Sequence, residues 1–186
     1  MARQDRLLRA ARRQPVDCTP VWFMRQAGRI FPRYRQLRKR YDFLTLCRQP
    51  ELSAEVTLLP VEHLGVDAAI LFADIMLPLE GLGVAYDIRE GGPRIERPVR
   101  SEADLARLRR FDPREDLAYV LEAVRLVRRE LDGRCPLIGF AGAPFTLACY
   151  LIEGRPTREF TKARAMMFRN ARLWHGLMEL LSDVVL

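Results

Sequence analysis

The chain has 186 residues, 49% of them hydrophobic, with 31 basic against 24 acidic side chains and a formal charge of +7. That length fits a single domain over residues 1–186 with a real core, the apolar content excludes wholesale disorder, and no run of about 18 apolar residues exists to span a membrane. Of the basic residues 29 are arginine, the only lysines being Lys39 and Lys162. They alternate with Asp and Glu along the chain, and no RNA-binding or zinc-finger signature occurs, so neither nucleic acid nor a membrane is an expected partner. Guanidinium forks do suit polyanions that carry carboxylate or phosphate. Cys18, Cys47, Cys135 and Cys149 show no Cys-x-x-Cys spacing, and His63 and His175 are the only histidines, so no metal site is expected. The opening MARQDRLLRAARRQP lacks the apolar stretch of a secretion signal, which predicts a cytoplasmic protein with reduced thiols.

The predicted elements begin with a helix over 3–13, ended by Gln14-Pro15. TPVWFM (19–24) reads as a short strand running into the polar RQAGR, and 32–41 and 42–47 read as short helices. Pro50 opens a longer helix through His63, with Leu52, Val56, Leu59 and Val61 or His63 toward the core, Gly65 as its stop and a kink at Pro60. DAAILFA (67–73) is an unbroken apolar run, as in a strand buried on both faces. Residues 84–97, with a Gly-Gly-Pro turn, read as a hairpin. A helix is predicted over 113–132, with Asp112 as cap, Pro113 at its first position, Glu115 completing a capping box and Gly133 ending it. Leu117, Val120, Leu121, Val124, Val127 and Leu131 form its apolar stripe. PLIGFAG (136–142) is the third buried strand, and helices follow from Pro144 to about Ile152, at 157–169 and at 171–186. Alternating strands and helices predict an α/β fold with a parallel sheet. Only three barrel-type strands are visible and the pattern stops inside the apolar DVVL, so the chain is expected to be the N-terminal part of a longer protein.

Three features stand at the carboxyl ends of these strands, where α/β folds place ligands. In Arg25-Gln26-Ala27-Gly28-Arg29, two forked cations four residues apart flank a glycine that lets backbone approach a ligand; the alternative is an Arg-rich turn paired with surface carboxylates. Asp74 closes a buried strand and must be paired or hydrogen-bonded there, either as a site carboxylate or as a cap for the next helix. In PLIGFAGAPFTLACYLIEG, Phe140 lies near the strand end and Tyr150 one turn and a half into the following helix; both equally suit core packing. His63 and His175 read as structural.

VWFMRQAGRIFPRYR (21–35), DAAILFADIMLPLEGLG (67–83) and PLIGFAGAPFTLACYLIEG (136–154) together resemble the uroporphyrinogen decarboxylase family, and the intervening lengths fit. The resemblance runs from about residue 4 to 186. It implies roughly the first half of a TIM-type (β/α)8 barrel, and decarboxylation of the four acetate arms of uroporphyrinogen III to coproporphyrinogen III without metal or organic cofactor. It also implies a homodimer. Carried over, the family's motif maps onto Arg25, Gln26, Ala27, Gly28 and Arg29 as substrate-binding positions, its two arginines holding substrate carboxylates, and Arg38 matches a further basic position. Asp74, Phe140 and Tyr150 match the family's aspartate, phenylalanine and tyrosine. Asp74, Arg25 and Tyr150 are the catalytic candidates, with Arg25 or a water on it as a proton source, although a guanidinium is a poor acid. A serine and a histidine of the family's site belong to its later half. Two alternatives remain at this stage. One is a relative of the corrinoid-dependent methyltransferases, which share the barrel; the RQAGR block argues against it. The other is a non-catalytic porphyrinogen-binding fragment.

Overall fold

The computed structural model describes residues 5–186. Its first elements are α1 (Arg6–Ala11), α2 (Pro32–Arg40), α3 (Phe43–Arg48), α4 (Pro50–Leu64), β1 (Ala69–Ile70), α5 (Leu77–Gly81), β2 (Tyr86–Arg89) and β3 (Gly92–Ile95). Then come α6 (Glu102–Ala106), α7 (Pro113–Asp116), α8 (Ala118–Leu131), β4 (Leu137–Ile138), α9 (Pro144–Glu153), α10 (Thr161–Arg169) and α11 (Ala171–Val185). The chain divides into two compact units, residues up to Ala73 with Tyr119–Phe140, and Asp74–Ala118 with Ala141–Leu186.

In the first unit β1 and β4 pair in parallel, Ala69 opposite Leu137 and Ile70 opposite Ile138. Both strands are shorter than the apolar runs 67–73 and 136–142 predict. Side chains interrupt the ladder: the Phe72 N–H donates to Thr57 Oγ1 at 2.8 Å, and the Phe72 carbonyl accepts from Ser53 Oγ at 2.7 Å. Helices α4 and α8 cover this pair through Ala54, Leu58, Ala69, Leu71, Ala123, Val127 and Leu131, an α/β arrangement. Burying each large aliphatic side chain of this kind contributes about 1.5–3 kcal/mol. Helix α4 begins with Pro50 at its first position, runs on through Pro60, and stops at Gly65, whose φ of 63° suits glycine. Val61 packs against the cluster, whereas His63 is exposed with its ring 5.8 Å from Phe31. A second cluster joins Phe31, Tyr34 and Leu37 of the α2 face to Leu46, Val56 and Leu59.

The expected strand at 19–24 is absent. Pro20 has no N–H, the Val21 N–H donates to the Asp67 carboxylate at 2.8 Å, and the Phe23 N–H donates to Gln26 Oε1 at 3.2 Å. With those donors taken by side chains, the segment is tied to the start of the next strand by the Asp67 N–H donating to the Val21 carbonyl at 2.8 Å. Arg6 fixes the approach to this segment, donating to Asp17 at 2.8 and 2.7 Å and to Asp67 at 2.6 Å. The Arg6 guanidinium holds the Asp17 carboxyl well below the usual carboxylate range. The predicted helix over 3–13 is α1, ending at Ala11; residues 3 and 4 lie outside the described ones.

The predicted helix over 113–132 is two. Asp112 caps α7 by accepting from the Arg114 N–H at 2.8 Å, but Leu117 leaves helical geometry (φ −119°, ψ 25°) and α8 starts afresh. Glu115 is exposed and makes no reciprocal capping bond among the described residues. The break falls where the chain passes from one compact unit to the other, so the two pieces follow different packing partners.

In the second unit β2 and β3 form the predicted antiparallel hairpin, Tyr86 opposite Ile95 and Arg89 opposite Gly92. Ile95 N–H donates to the Gly154 carbonyl at 2.8 Å and Val99 N–H to that of Leu151 at 2.9 Å, which lays this segment along α9. Gly154 ends α9 with φ of 80°, and a Cβ there would lie 2.6 Å from Pro98. Helix α10 starts at Thr161 rather than 157. Glu153, 7% exposed, accepts from the Lys162 N–H at 2.7 Å and the Ala163 N–H at 3.3 Å, so a buried carboxylate caps the helix from four residues before Thr157. Asn170 caps α11 through the Leu173 N–H at 3.1 Å. Ser101 and Asp104 exchange bonds at the start of α6, and with the Arg100 N–H they hold the Asp104 carboxyl down to about 2.

Candidate active site

The RQAGR loop is positioned from beneath by Gln26. This side chain is 6% exposed, and both ends of its amide are engaged: Nε2 donates to the Ala68 carbonyl at 2.9 Å, and Oε1 accepts from Phe23. Sequence reasoning placed Gln26 among the substrate contacts; here it anchors the loop to the chain just before β1. A turn closes the loop, the Phe31 N–H donating to the Gly28 carbonyl at 3.1 Å. A Cβ at Gly28 would meet nothing within 4 Å, so the backbone there faces open space. Ala27 is half-buried against the Phe31 cluster.

Arg25 and Arg29 are exposed, and neither guanidinium has a hydrogen-bond or ion-pair partner among the described residues. The neighbouring arginines differ. Arg33 pairs with Glu55, Arg35 Nη1 donates to the Arg29 and Ile30 carbonyls at 2.7 and 3.2 Å, and Arg38 Nη1 donates to the Tyr41 carbonyl at 2.8 Å. The surface-pairing alternative thus describes Arg33 but not Arg25 or Arg29. Tyr34 links the loop to the strand end. Its ring lies edge-on to Phe72, 5.8 Å away, and Phe43 packs on Phe72 at 5.5 Å. Burial pushes the Tyr34 hydroxyl up, opposed by the positive charges of Arg38 and Arg29.

Asp74 is half-buried, and its Oδ1 accepts from the Met76 N–H at 2.8 Å, closing a turn before α5. The residue capping α5 itself is Met76, so Asp74 is not the helix cap. Phe140, 47% exposed and two residues past β4, is not core packing. Tyr150 is half-buried on α9 with its ring edge-on to Phe160 at 6.0 Å. Arg25–Arg29, Arg38 and Phe140 belong to the first unit, Asp74 and Tyr150 to the second. Tyr34 and Arg35 were not singled out from the sequence. Their signal was the spacing Phe31, Tyr34, Arg35, Arg38, which puts all four on adjoining faces of one helix.

The family profile for uroporphyrinogen decarboxylase matches residues 2–186. The chain belongs to this family. It is 56% identical over 182 residues to a uroporphyrinogen decarboxylase of Sorangium cellulosum, covering 97% of this chain and 52% of that one. To one of Chloroflexus aurantiacus it is 57% identical over 183 residues, covering 98% and 51%. The chain spans about half the length of the curated relatives it matches. A methyltransferase from Methanosarcina mazei shares the fold, with a TM-score of 0.67 at 19% identity over 99% of this chain and 53% of that one. Among the described residues no group of three or more His, Cys, Asp or Glu could hold a metal, and no helix is long and apolar enough to cross a membrane. Of the four cysteines Cys18 is exposed and the others are buried, and none forms a disulfide.

Proposed function

We propose that this member of the uroporphyrinogen decarboxylase family acts in decarboxylating the four acetate arms of uroporphyrinogen III to give coproporphyrinogen III. The observation that carries the reading is the pair Arg25 and Arg29, two guanidinium groups without partners among the described residues, on a loop held in place by other atoms. Eight carboxylates on the substrate suit such forks, each of which can grip a carboxylate bidentately. Arg38 on α2 adds a further positive charge.

Protonating a pyrrole ring makes it an electron sink. The bond between the acetate methylene and its carboxylate then breaks, CO2 leaves, and the electron pair enters the ring. The methylene then takes up a proton to become a methyl group, and the ring releases the proton it first gained, which restores the neutral pyrrole. Positive charge develops on the pyrrole, and a fixed carboxylate stabilises it. Asp74 is assigned that role, with Tyr150 and Phe140 as walls against the macrocycle and Arg25 at the proton-delivering side. The parallel β1–β4 pair and its covering helices are proposed to form part of a (β/α)8 barrel, in a protein acting as a homodimer.

The test is a chimera in which residues 1–186 replace the matching half of the Sorangium cellulosum relative, with products separated by chromatography. It should convert uroporphyrinogen III. Asp74→Asn should cost roughly 10²–10³ in turnover with the thermal midpoint retained, the size of losing one preorganised electrostatic contact. An inactive chimera that folds and binds no porphyrinogen would overturn the reading, and a fully active Asn variant would remove Asp74 from catalysis.

A further inference from the structure

We infer that Arg35 is a positioning residue: it sets the direction in which Arg29 projects and does not itself grip the substrate. The substrate part of this statement rests on the decarboxylase reading; the positioning part does not. Arg35 lies on α2, one turn beyond the loop, and its Nη1 reaches back to two consecutive carbonyls, Arg29 at 2.7 Å and Ile30 at 3.2 Å. Those carbonyls belong to the two central residues of the 28–31 turn, so a donor on both fixes the turn's orientation relative to α2. A guanidinium offers planar, pre-organised donors that span two adjacent acceptors, which an ammonium cannot do as well.

The five arginines around the loop then sort by what engages them. Glu55 neutralises Arg33, loop carbonyls engage Arg35, and the Tyr41 carbonyl engages one arm of Arg38. Arg25 and Arg29 are the two left to face a ligand. Gln26 from beneath and Arg35 from α2 clamp the loop at both ends, so Arg29 enters binding with its backbone already ordered. That lowers the entropy cost of gripping a carboxylate.

The experiment uses the full 186-residue chain with two readouts. Amide hydrogen exchange at Ile30 and Phe31 should rise about tenfold in Arg35→Met, the loss of one charged hydrogen-bonding group, with α4 and α8 unchanged. Arg35→Lys should lie between. Affinity for uroporphyrin, the stable octacarboxylate analogue, should fall about tenfold in Arg35→Met. Its decline with salt should run parallel to wild type, because no ligand-facing charge has gone. Arg29→Met should flatten that decline, since it removes a screened ion pair. Unchanged exchange at Ile30 and Phe31 would overturn the proposal. So would a salt dependence flattened as in Arg29→Met, which would make Arg35 a ligand arm, or full rescue by lysine on both readouts. A wild-type chain that binds no uroporphyrin counts against the substrate reading alone, since the exchange measurement still decides Arg35.

Discussion

Gln26 and Glu153 are two buried polar side chains of nearly equal exposure, and each organises irregular backbone, yet they do opposite things with charge. At Glu153 the charge itself is engaged: a buried carboxylate accepts from the Lys162 and Ala163 N–H groups and completes the start of α10. At Gln26 the anchor is neutral, and the charges it carries along, Arg25 and Arg29, are exposed and without partners among the described residues. One region directs its ionic interaction inward to stability. The other holds its shape with amide and carbonyl bonds and leaves its ionic capacity for a ligand.

The largest expected effect breaks the inward case. Glu153→Ala strips a charged acceptor from two helix N–H groups, at about 1–3 kcal/mol for each donor left unsatisfied, so chemical unfolding should show a loss on the order of 2–6 kcal/mol. The outward case should respond in the reverse manner. Arg25→Ala or Arg29→Ala should cost on the order of 1.5–3 kcal/mol in porphyrinogen binding and leave unfolding unchanged, with lysine restoring only part. A stability loss there equal to that of Glu153→Ala would erase the contrast.

Glycine substitutions sharpen it further. Gly154→Ala places a side chain at φ of 80° and 2.6 Å from Pro98, and should destabilise by about 1–2 kcal/mol in a thermal melt. Gly28→Ala meets open space and should leave the melt where it is while weakening ligand binding, because the new methyl would stand where the proposed ligand approaches the backbone. The smallest effect is electrostatic. The Asp104 carboxyl is lowered to about 2 from an ordinary 3.8, so its contribution is complete above that ordinary value and fades as pH falls from about 4 toward 2. Urea midpoints followed through that window should drop less steeply in Asp104→Asn than in the parent.

Much of this was legible where local chemistry decides. Pro32, Pro50 and Pro144 open α2, α4 and α9, Gly65 closes α4, and the hairpin falls in its predicted segment, although its turn is Glu90-Gly91 and Gly92 and Pro93 of the expected turn are already paired in β3. The strand at 19–24 was misread because its donors go to Asp67 and Gln26, and no pattern inside TPVWFM announces side chains that arrive from elsewhere. Leu117 was misread for a related reason: periodicity over 113–132 is continuous, while the packing partners change midway. At the candidate site, Arg25 and Arg29 were singled out by the motif, and both are exposed. What separates them from Arg33, Arg35 and Arg38 is which acceptor each one meets, and that depends on α2 lying beside the loop.

The bonds that truncate β1 also index α4. Ser53 Oγ and Thr57 Oγ1 grip the carbonyl and N–H of one residue, Phe72, and Thr57 Oγ1 in turn donates to the Ser53 carbonyl at 2.7 Å. Apolar helix faces slide over a sheet with little penalty, one leucine replacing another. A pair of hydroxyls one turn apart, matched to the two ends of a single peptide residue, permits one setting. Advancing α4 by a residue would unseat both bonds at once and leave the Phe72 amide buried without a partner. The helix therefore works like a key with one tooth, and the strand that leads toward Asp74 leaves the sheet at a defined point.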